Sequence, residues 1–345
     1  MTKKKKITLS VLGVLALGLM VAGWFAACKI YDRKASNFRA GAQLYVYPGE
    51  TWTSLTEYIL DSCDVRWKAS VRRCIEEVSA LSPMPGHYVI EEGSTSTAVA
   101  RMLSHGWQTP VKLVLSGTMR RMGDIARKIS AQMMMDSLEV VSALQDENLL
   151  GSLGYRRDNV FSLFIPDTYE VLWTDDMESV LKRQKQVNDA FWTSENLEKA
   201  RRLGFSREEV SVLASIVKGE TNYEAEMPKI AGVYITRLRK GMKLQADPTI
   251  AFCYDYSLNR ILKKHLKVDS PYNTYQNYGL PPGPICVPTR ACLEAVLNPE
   301  LRGYLYFCAS PEMNGSHNFA ASYLEHLKNA RAFQRALTKK LNNAS

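Results

Sequence analysis

The chain has 345 residues, 46% of them hydrophobic and 23% charged, with a formal net charge of +9. That length allows two or three compact units, and that composition excludes a disordered chain, which would bury too little apolar surface to offset its ordering. The charge calls for anionic surroundings (nucleic acid, acidic lipid headgroups, or a carboxylate-bearing polymer such as the peptide stems of a cell wall) and does not choose among them. A generally basic, solvated surface gives the same count.

Lys3 to Lys6 form a basic cluster, and no charged residue follows from Ile7 to Cys28. A run of about 22 residues crosses a hydrocarbon core of ~30 Å and exceeds the apolar centre of a cleaved signal peptide. Residues 7–28 are therefore expected as a transmembrane helix. Residues 1–6 are expected as a cytoplasmic tail by the positive-inside rule, although Lys29, Arg33 and Lys34 blunt that signal. No second span appears, so the remainder is expected on the extracytoplasmic side. Ala26 and Ala27 before Cys28 have the small-residue character of a lipidation site, but Phe25 fits such a site poorly.

Three segments then share one pattern: an apolar run, a glycine turn with Ser or Thr, and an amphipathic stretch. They are Tyr45–Thr51 followed by Trp52, Leu55, Tyr58 and Ile59; Tyr88–Thr95 followed by Ala98, Val99, Met102 and Leu103; and Val111–Thr118 followed by Met122, Ile125 and Ala126. Each reads as strand, turn and helix. Repeated over residues 40–118, the unit resembles the LysM peptidoglycan-binding module, although many α+β domains contain such a unit. Residues 119–205 read as a mainly helical linker, interrupted at Phe164–Tyr169, where Pro166 and Asp167 predict a turn.

Residues 206–345 read as a helix-rich domain. Ser206 with Glu209 fits a capping box, and Val210, Leu213, Ala214 and Val217 make one apolar stripe. A second helix is expected from Pro228, carrying Ile230, Val233, Tyr234 and Leu238 inward and stopping at Gly241. An apolar segment from Cys292 to Leu297 and a last helix from Ala321 to Leu341 follow. Between them, Gln245 to Pro288 reads as a long loop rich in Pro, Gly, Asn and Tyr, which in a compact domain marks a binding surface. The seven cysteines form no CxxC pair or metal spacing. They stand either as scattered buried thiols or as disulfides of unreadable pairing.

Glu220 continues the stripe at the helix end. A carboxyl in partly apolar surroundings has a raised pKa and holds a proton near neutral pH. Glycosidic cleavage requires this, because the departing oxygen needs a proton. A Glu frayed into solvent is the plain alternative. Gln245, Asp247 and Thr249 lie within five positions, and Tyr272-Asn273-Thr274-Tyr275 and Gly279–Pro284 follow. Amides, hydroxyls and aromatic faces suit sugars, while turn chemistry explains each short motif equally well.

Taken together, Leu213–Thr221, Ala231–Leu238, Met242–Thr249, Tyr272–Tyr275, Gly279–Gly283, Phe164–Tyr169 and His317-Asn318-Phe319 resemble, in order and spacing, the MltG/YceG endolytic murein transglycosylases. The resemblance covers nearly the whole chain. It implies an α+β protein with a single N-terminal transmembrane helix, a LysM-like module and a helix-rich catalytic domain on the periplasmic side of the inner membrane. It implies Glu220 as catalytic acid and base: it protonates the oxygen between MurNAc and GlcNAc, then it or a linked water deprotonates the MurNAc 6-hydroxyl, which closes a 1,6-anhydro ring. Gln245, Asp247, Thr249, Asn273, Thr274 and Tyr275 are the candidates for holding sugars. His317 belongs to the cleft or is a structural histidine. Many members carry an acid where this chain has Lys218, so a second carboxylate there is not expected. No metal or organic cofactor is implied. The expected partners are nascent peptidoglycan strands, with peptidoglycan synthases nearby, and no nucleic acid. Two rivals remain: a hydrolase with Asp247 or Glu224 as second carboxylate, and a non-catalytic wall-binding scaffold.

Overall fold

A computed structural model describes residues 3–342, with side chains from residue 11 onward. The chain begins with helix α1 (Lys3–Lys34). Its Val11–Lys34 stretch is long and apolar enough to cross a membrane, with a mean hydropathy of 2.2. The basic cluster at Lys3–Lys6 and the tail residues 1–2 fall outside the described side chains. The chain divides into two compact units, residues 1–112 with 170–174 and residues 113–169 with 175–345.

In the first unit, β1 (Ala42–Val46), α2 (Trp52–Ser62), α3 (Lys68–Val78), β2 (Gly86–Ile90) and α4 (Ser96–His105) follow α1. Strands β1 and β2 pair antiparallel, Ala42 opposite Ile90 and Val46 opposite Gly86. The alternation in β1 places Leu44 and Val46 inward. They meet Leu55, Ile59, Val71, Ile75, Val99 and Leu103 from the three helices in one core. The expected caps form: Thr51 accepts from Ser54 N and Thr95 from Ala98 N, both at 3.2 Å. The helix α3 between β1 and β2 carries no cap side chain, which is why the sequence pattern did not announce it. The end of α1 is tied to this unit through buried Asp32, which accepts from Ser70 Oγ at 2.5 Å and from Arg73 at 2.8 Å.

The chain crosses between the units within β3 (Val111–Leu115) and again within β4 (Asp167–Val171), with α5 (Met122–Ser130), α6 (Ser137–Gln145) and α7 (Glu147–Ser152) between them. The third strand–turn–helix segment departs from its expected cap. Thr118 does not cap α5; instead Asp124 turns back to accept from Arg120 N and Arg121 N at 3.0 and 3.1 Å. β3 is adjacent to β4 rather than to β1 or β2. The turn expected at Phe164–Tyr169 is the lead-in to β4: Asp167 accepts from Thr168 N at 2.8 Å and the strand starts there.

The second unit continues with α8 (Met177–Phe191), α9 (Ser194–Leu203), α10 (Arg207–Glu220), α11 (Met227–Arg239), α12 (Asp247–Cys253), α13 (Arg290–Leu297), β5 (Tyr306–Ala309), β6 (His317–Ala320) and α14 (Tyr323–Asn342). α10 is fully buried from Val210 to Val217 and packs against α11 and α13. β5 and β6 form an antiparallel hairpin, Ala309 opposite His317, absent from the sequence expectation. The stretch from Gln245 to Pro288 is not all loop, since α12 lies inside it. All seven cysteines are free thiols, and Cys63, Cys74, Cys286 and Cys292 are buried, so the disulfide reading gives way to the thiol one.

Candidate active site

Glu220 is placed by how α10 starts and stops. Ser206 and Glu209 close the capping box reciprocally, at 3.2 and 2.8 Å. The helix ends where Thr221 turns extended. One residue earlier, Gly219 has no side chain because none fits: a Cβ there would lie 2.5 Å from the Pro248 ring. The missing methyl lets the first turn of α12 close on the last turn of α10, bringing Asp247 beside Glu220.

Glu220 is half-buried. Its Oε1 accepts from the Tyr234 hydroxyl of α11 at 2.5 Å. Burial pushes the Glu220 carboxyl up to about 7; the Tyr234 hydrogen bond opposes this, the Asp247 charge adds to it, and the Arg237 guanidinium opposes it. Burial also pushes the Tyr234 phenol well above its ordinary value, with the Glu220 charge adding to the effect. Tyr234 therefore stays a donor at every working pH. Arg237 is itself buried, donating to Leu305 O and Leu244 O at 2.7 Å each.

Asp247 and Gln245 are both exposed. Asp247 opens α12, ahead of Pro248, and accepts from the Tyr275 hydroxyl at 2.5 Å. Gln245 sits at φ 51°, a left-handed conformation unusual for a side chain of its size. The neighbouring segment holds it there. Thr274 O accepts from Gln245 N at 3.1 Å, Thr274 Oγ1 accepts from Ala246 N at 3.0 Å, and Thr249 Oγ1 donates to Ala246 O at 2.7 Å. Asn273 donates to Val268 O at 2.7 Å and accepts from Tyr275 N at 2.9 Å. Thr249, Asn273 and Thr274 are thus buried to 2% exposure or less. Their polar atoms bond loop backbone and, between Thr249 and Thr274, each other.

Glu220 lines two cavities. One, of about 720 Å³, is also bounded by Lys218, Asn222, Tyr223, Ser310 and His317. The other, of about 320 Å³, is bounded by Tyr234, Arg237, Gln245, Asp247 and Tyr275. Among the described residues, Glu220 alone bounds both. Lys218 donates to Asn222 Oδ1 at 2.6 Å on the first side. Glu224, considered as a second carboxylate, is exposed in a 3-10 turn and bounds neither cavity.

His317 contacts buried Glu226: its Nδ1 lies 2.9 Å from Oε2, and its backbone N donates to both carboxylate oxygens at 3.1 Å. Sequence reasoning missed Tyr234, Arg237 and Glu226. Tyr234 reads as one more apolar position on the α11 stripe. Glu226 stands at the helix start, where an acid reads as a cap, yet its side chain makes no cap bond.

The YceG-like family matches residues 44–332. An endolytic murein transglycosylase of Bacillus subtilis (strain 168) is 30% identical over 259 residues, 70% of this chain and 71% of that one. Endolytic murein transglycosylases of two Streptococcus pneumoniae strains are 32% identical over 126 residues, 35% of this chain but only 23% of theirs. A crystal structure of a YceG-like protein from Listeria monocytogenes superposes with a TM-score of 0.56 at 24% identity, over 84% of this chain and 98% of that one; that likeness speaks to the fold.

Proposed function

The chain belongs to the YceG-like family, and from that premise we propose that it is an endolytic lytic transglycosylase of peptidoglycan with Glu220 as the acid that breaks the glycosidic bond. The observation that carries this reading is the environment of Glu220: a half-buried carboxyl, raised to about 7, on a residue that bounds two cavities. Sugars on either side of the scissile bond occupy one cavity each. The protonated carboxyl gives its proton to the bridging oxygen. As it ionises, the Tyr234 donor already in place stabilises the carboxylate without reorganising.

Asp247, held by Tyr275, faces the positive charge that grows at the anomeric carbon. Gln245 and Tyr275 hold the departing sugar, and the MurNAc takes the larger cavity, which His317 bounds. The MurNAc 6-hydroxyl attacks C1 and leaves a 1,6-anhydro end, so no water enters. An internal nucleophile replaces the second carboxylate that a hydrolase needs. The β1–α2–α3–β2 arrangement is read here as a LysM-like wall-binding module, residues 206–345 as the catalytic domain, and α1 as the single-pass anchor that keeps both outside the cytoplasm. Strands being made at the membrane are then the substrate, and the synthases that make them are the neighbours.

Digestion of purified glycan strands by wild type and by Glu220→Gln, followed by mass spectrometry, tests the reading. Wild type is expected to give fragments one water lighter than hydrolysis products, and Glu220→Gln none. Fragments of hydrolytic mass, or an undiminished Glu220→Gln, overturn it.

A further inference from the structure

A transglycosylase must do two proton transfers, one to the departing oxygen and one from the 6-hydroxyl, and one carboxyl can perform both by giving its proton first and taking one second. The cavity that Glu220 shares with His317 contains a second candidate. Glu226 meets His317 at both the backbone N–H and ring Nδ1. In the neutral ring the tautomer that donates to Glu226 carries its proton on Nδ1 and its lone pair on Nε2. Among the described residues no partner engages Nε2, and it is not a buried orphan. His317 bounds the 720 Å³ cavity.

The position is fixed on all sides. The β5–β6 register sets Ala309 opposite His317. Phe307 packs edge-on against the His317 ring at 5.5 Å and against Tyr234 at 5.9 Å between centroids. His317 and Tyr234 therefore both contact one phenyl ring.

We propose that His317, oriented by Glu226, is the base that takes the proton of the MurNAc 6-hydroxyl while Glu220 serves as acid alone. The proposal depends on the transglycosylase reading above. In the step, the Glu220 proton moves to the bridging oxygen and the C1–O bond breaks. The 6-oxygen bonds to C1, and its proton moves to His317 Nε2. The imidazolium then loses that proton to solvent and Glu220 regains one, so each turnover ends with no net proton or water consumed. Glu226 is a positioning residue: it sets the tautomer and holds the ring.

The test uses the full chain in detergent with purified glycan strands, reading anhydro ends against strand concentration. His317→Gln keeps a donor for Glu226 but has no basic nitrogen. It is expected to lower kcat by roughly 100-fold or more, with KM within about twofold. His317→Gly leaves a gap the size of the ring, and added imidazole is expected to restore part of its kcat, a response that a purely structural histidine would not give. Glu226→Gln should lower kcat by a smaller factor. A His317→Gln kcat within about threefold of wild type, a loss confined to KM, or a folded His317→Gly indifferent to imidazole overturns the proposal. Thermal melts of each variant identify misfolding, and if His317→Gly melts early, His317→Gln decides. Glu220→Gln run alongside separates the two readings: if it is inactive while His317→Gln is fast, only the base assignment fails; if it is active, the acid assignment fails.

Discussion

Replacing Glu220 by Gln should make the protein more stable, and by an amount that depends on pH. In the folded chain this carboxyl is raised from 4.5 to about 7, with burial the largest cause. A raised carboxyl adds nothing unfavourable below pH 4.5, where it is protonated folded and unfolded alike. Between 4.5 and about 7 the unfolded chain ionises first, and stability falls as pH rises. At about 1.4 kcal/mol per pH unit, the full loss is about 3 kcal/mol above pH 8. Gln keeps an oxygen to accept from Tyr234 and never ionises, so it escapes the loss. Wild type and Glu220→Gln should melt together at pH 4.5. They should separate at pH 8, where, at roughly 2–4 °C per kcal/mol for a unit of this size, the variant melts about 6–12 °C higher. Calorimetry of both proteins across that range checks it. A difference that stays flat with pH, or a variant that melts lower at pH 8, would refute the account of a carboxyl kept from water.

Four further outcomes follow from the same geometry. The cleavage rate should fall about tenfold per pH unit above about 7, as the acid loses its proton; Tyr234→Phe removes a bond that favours the carboxylate, so kcat-versus-pH curves should show that alkaline limb moved to higher pH. Gly219→Ala places a methyl 2.5 Å from Pro248, so α12 must shift from α10; denaturant unfolding should show a loss of about 1–3 kcal/mol, and kcat should drop with Asp247 displaced. Thr274→Val strips the acceptor from buried Ala246 N, costing about 1–3 kcal/mol in the same unfolding assay; because Thr274 is itself buried, any change in turnover should come through displaced Gln245 and Asp247.

The sequence disclosed the parts of this architecture whose cause is local. The capping box at Ser206 and Glu209, the stripe through Val217 and the stop at Gly241 each depend on contacts within one turn, and each is where it was expected. Glu220 was readable for the same reason, since its spacing from Val217 puts it on the apolar face. What escaped depends on residues far apart in the chain. Arg237 spends its donors on Leu244 and Leu305, and Glu226 reaches His317 across 91 positions. α12 hid inside a Pro-rich stretch because Pro248 sits at its first turn, where proline starts a helix instead of breaking one. The three polar residues Thr249, Asn273 and Thr274 look alike in sequence whether they bind ligand or backbone. Only burial separates the two uses.

The same division explains how a flexible-looking segment can hold a reacting centre. Asp247 and Gln245 lie on exposed chain, and a lone loop would let them wander by more than catalysis tolerates. Here the backbone at 245–246 is bonded to Thr274, Thr249 is bonded to Ala246 and Thr274, and Ile285 N donates to Ser215 Oγ on α10 at 3.0 Å. The segment that carries Asp247 is therefore bound to the loop at Thr274, and the chain that follows that loop is bound at Ile285 to the helix that carries Glu220. The left-handed Gln245 backbone is held by the Thr274 bond and not by sequence preference. The two carboxylates each meet one tyrosine, but in opposite settings: Glu220 is half-buried and raised, while Asp247 is exposed. Two acids a short distance apart are useful only if their environments differ. The gap at Gly219, which lets Pro248 close in, is what sets them side by side without making them alike.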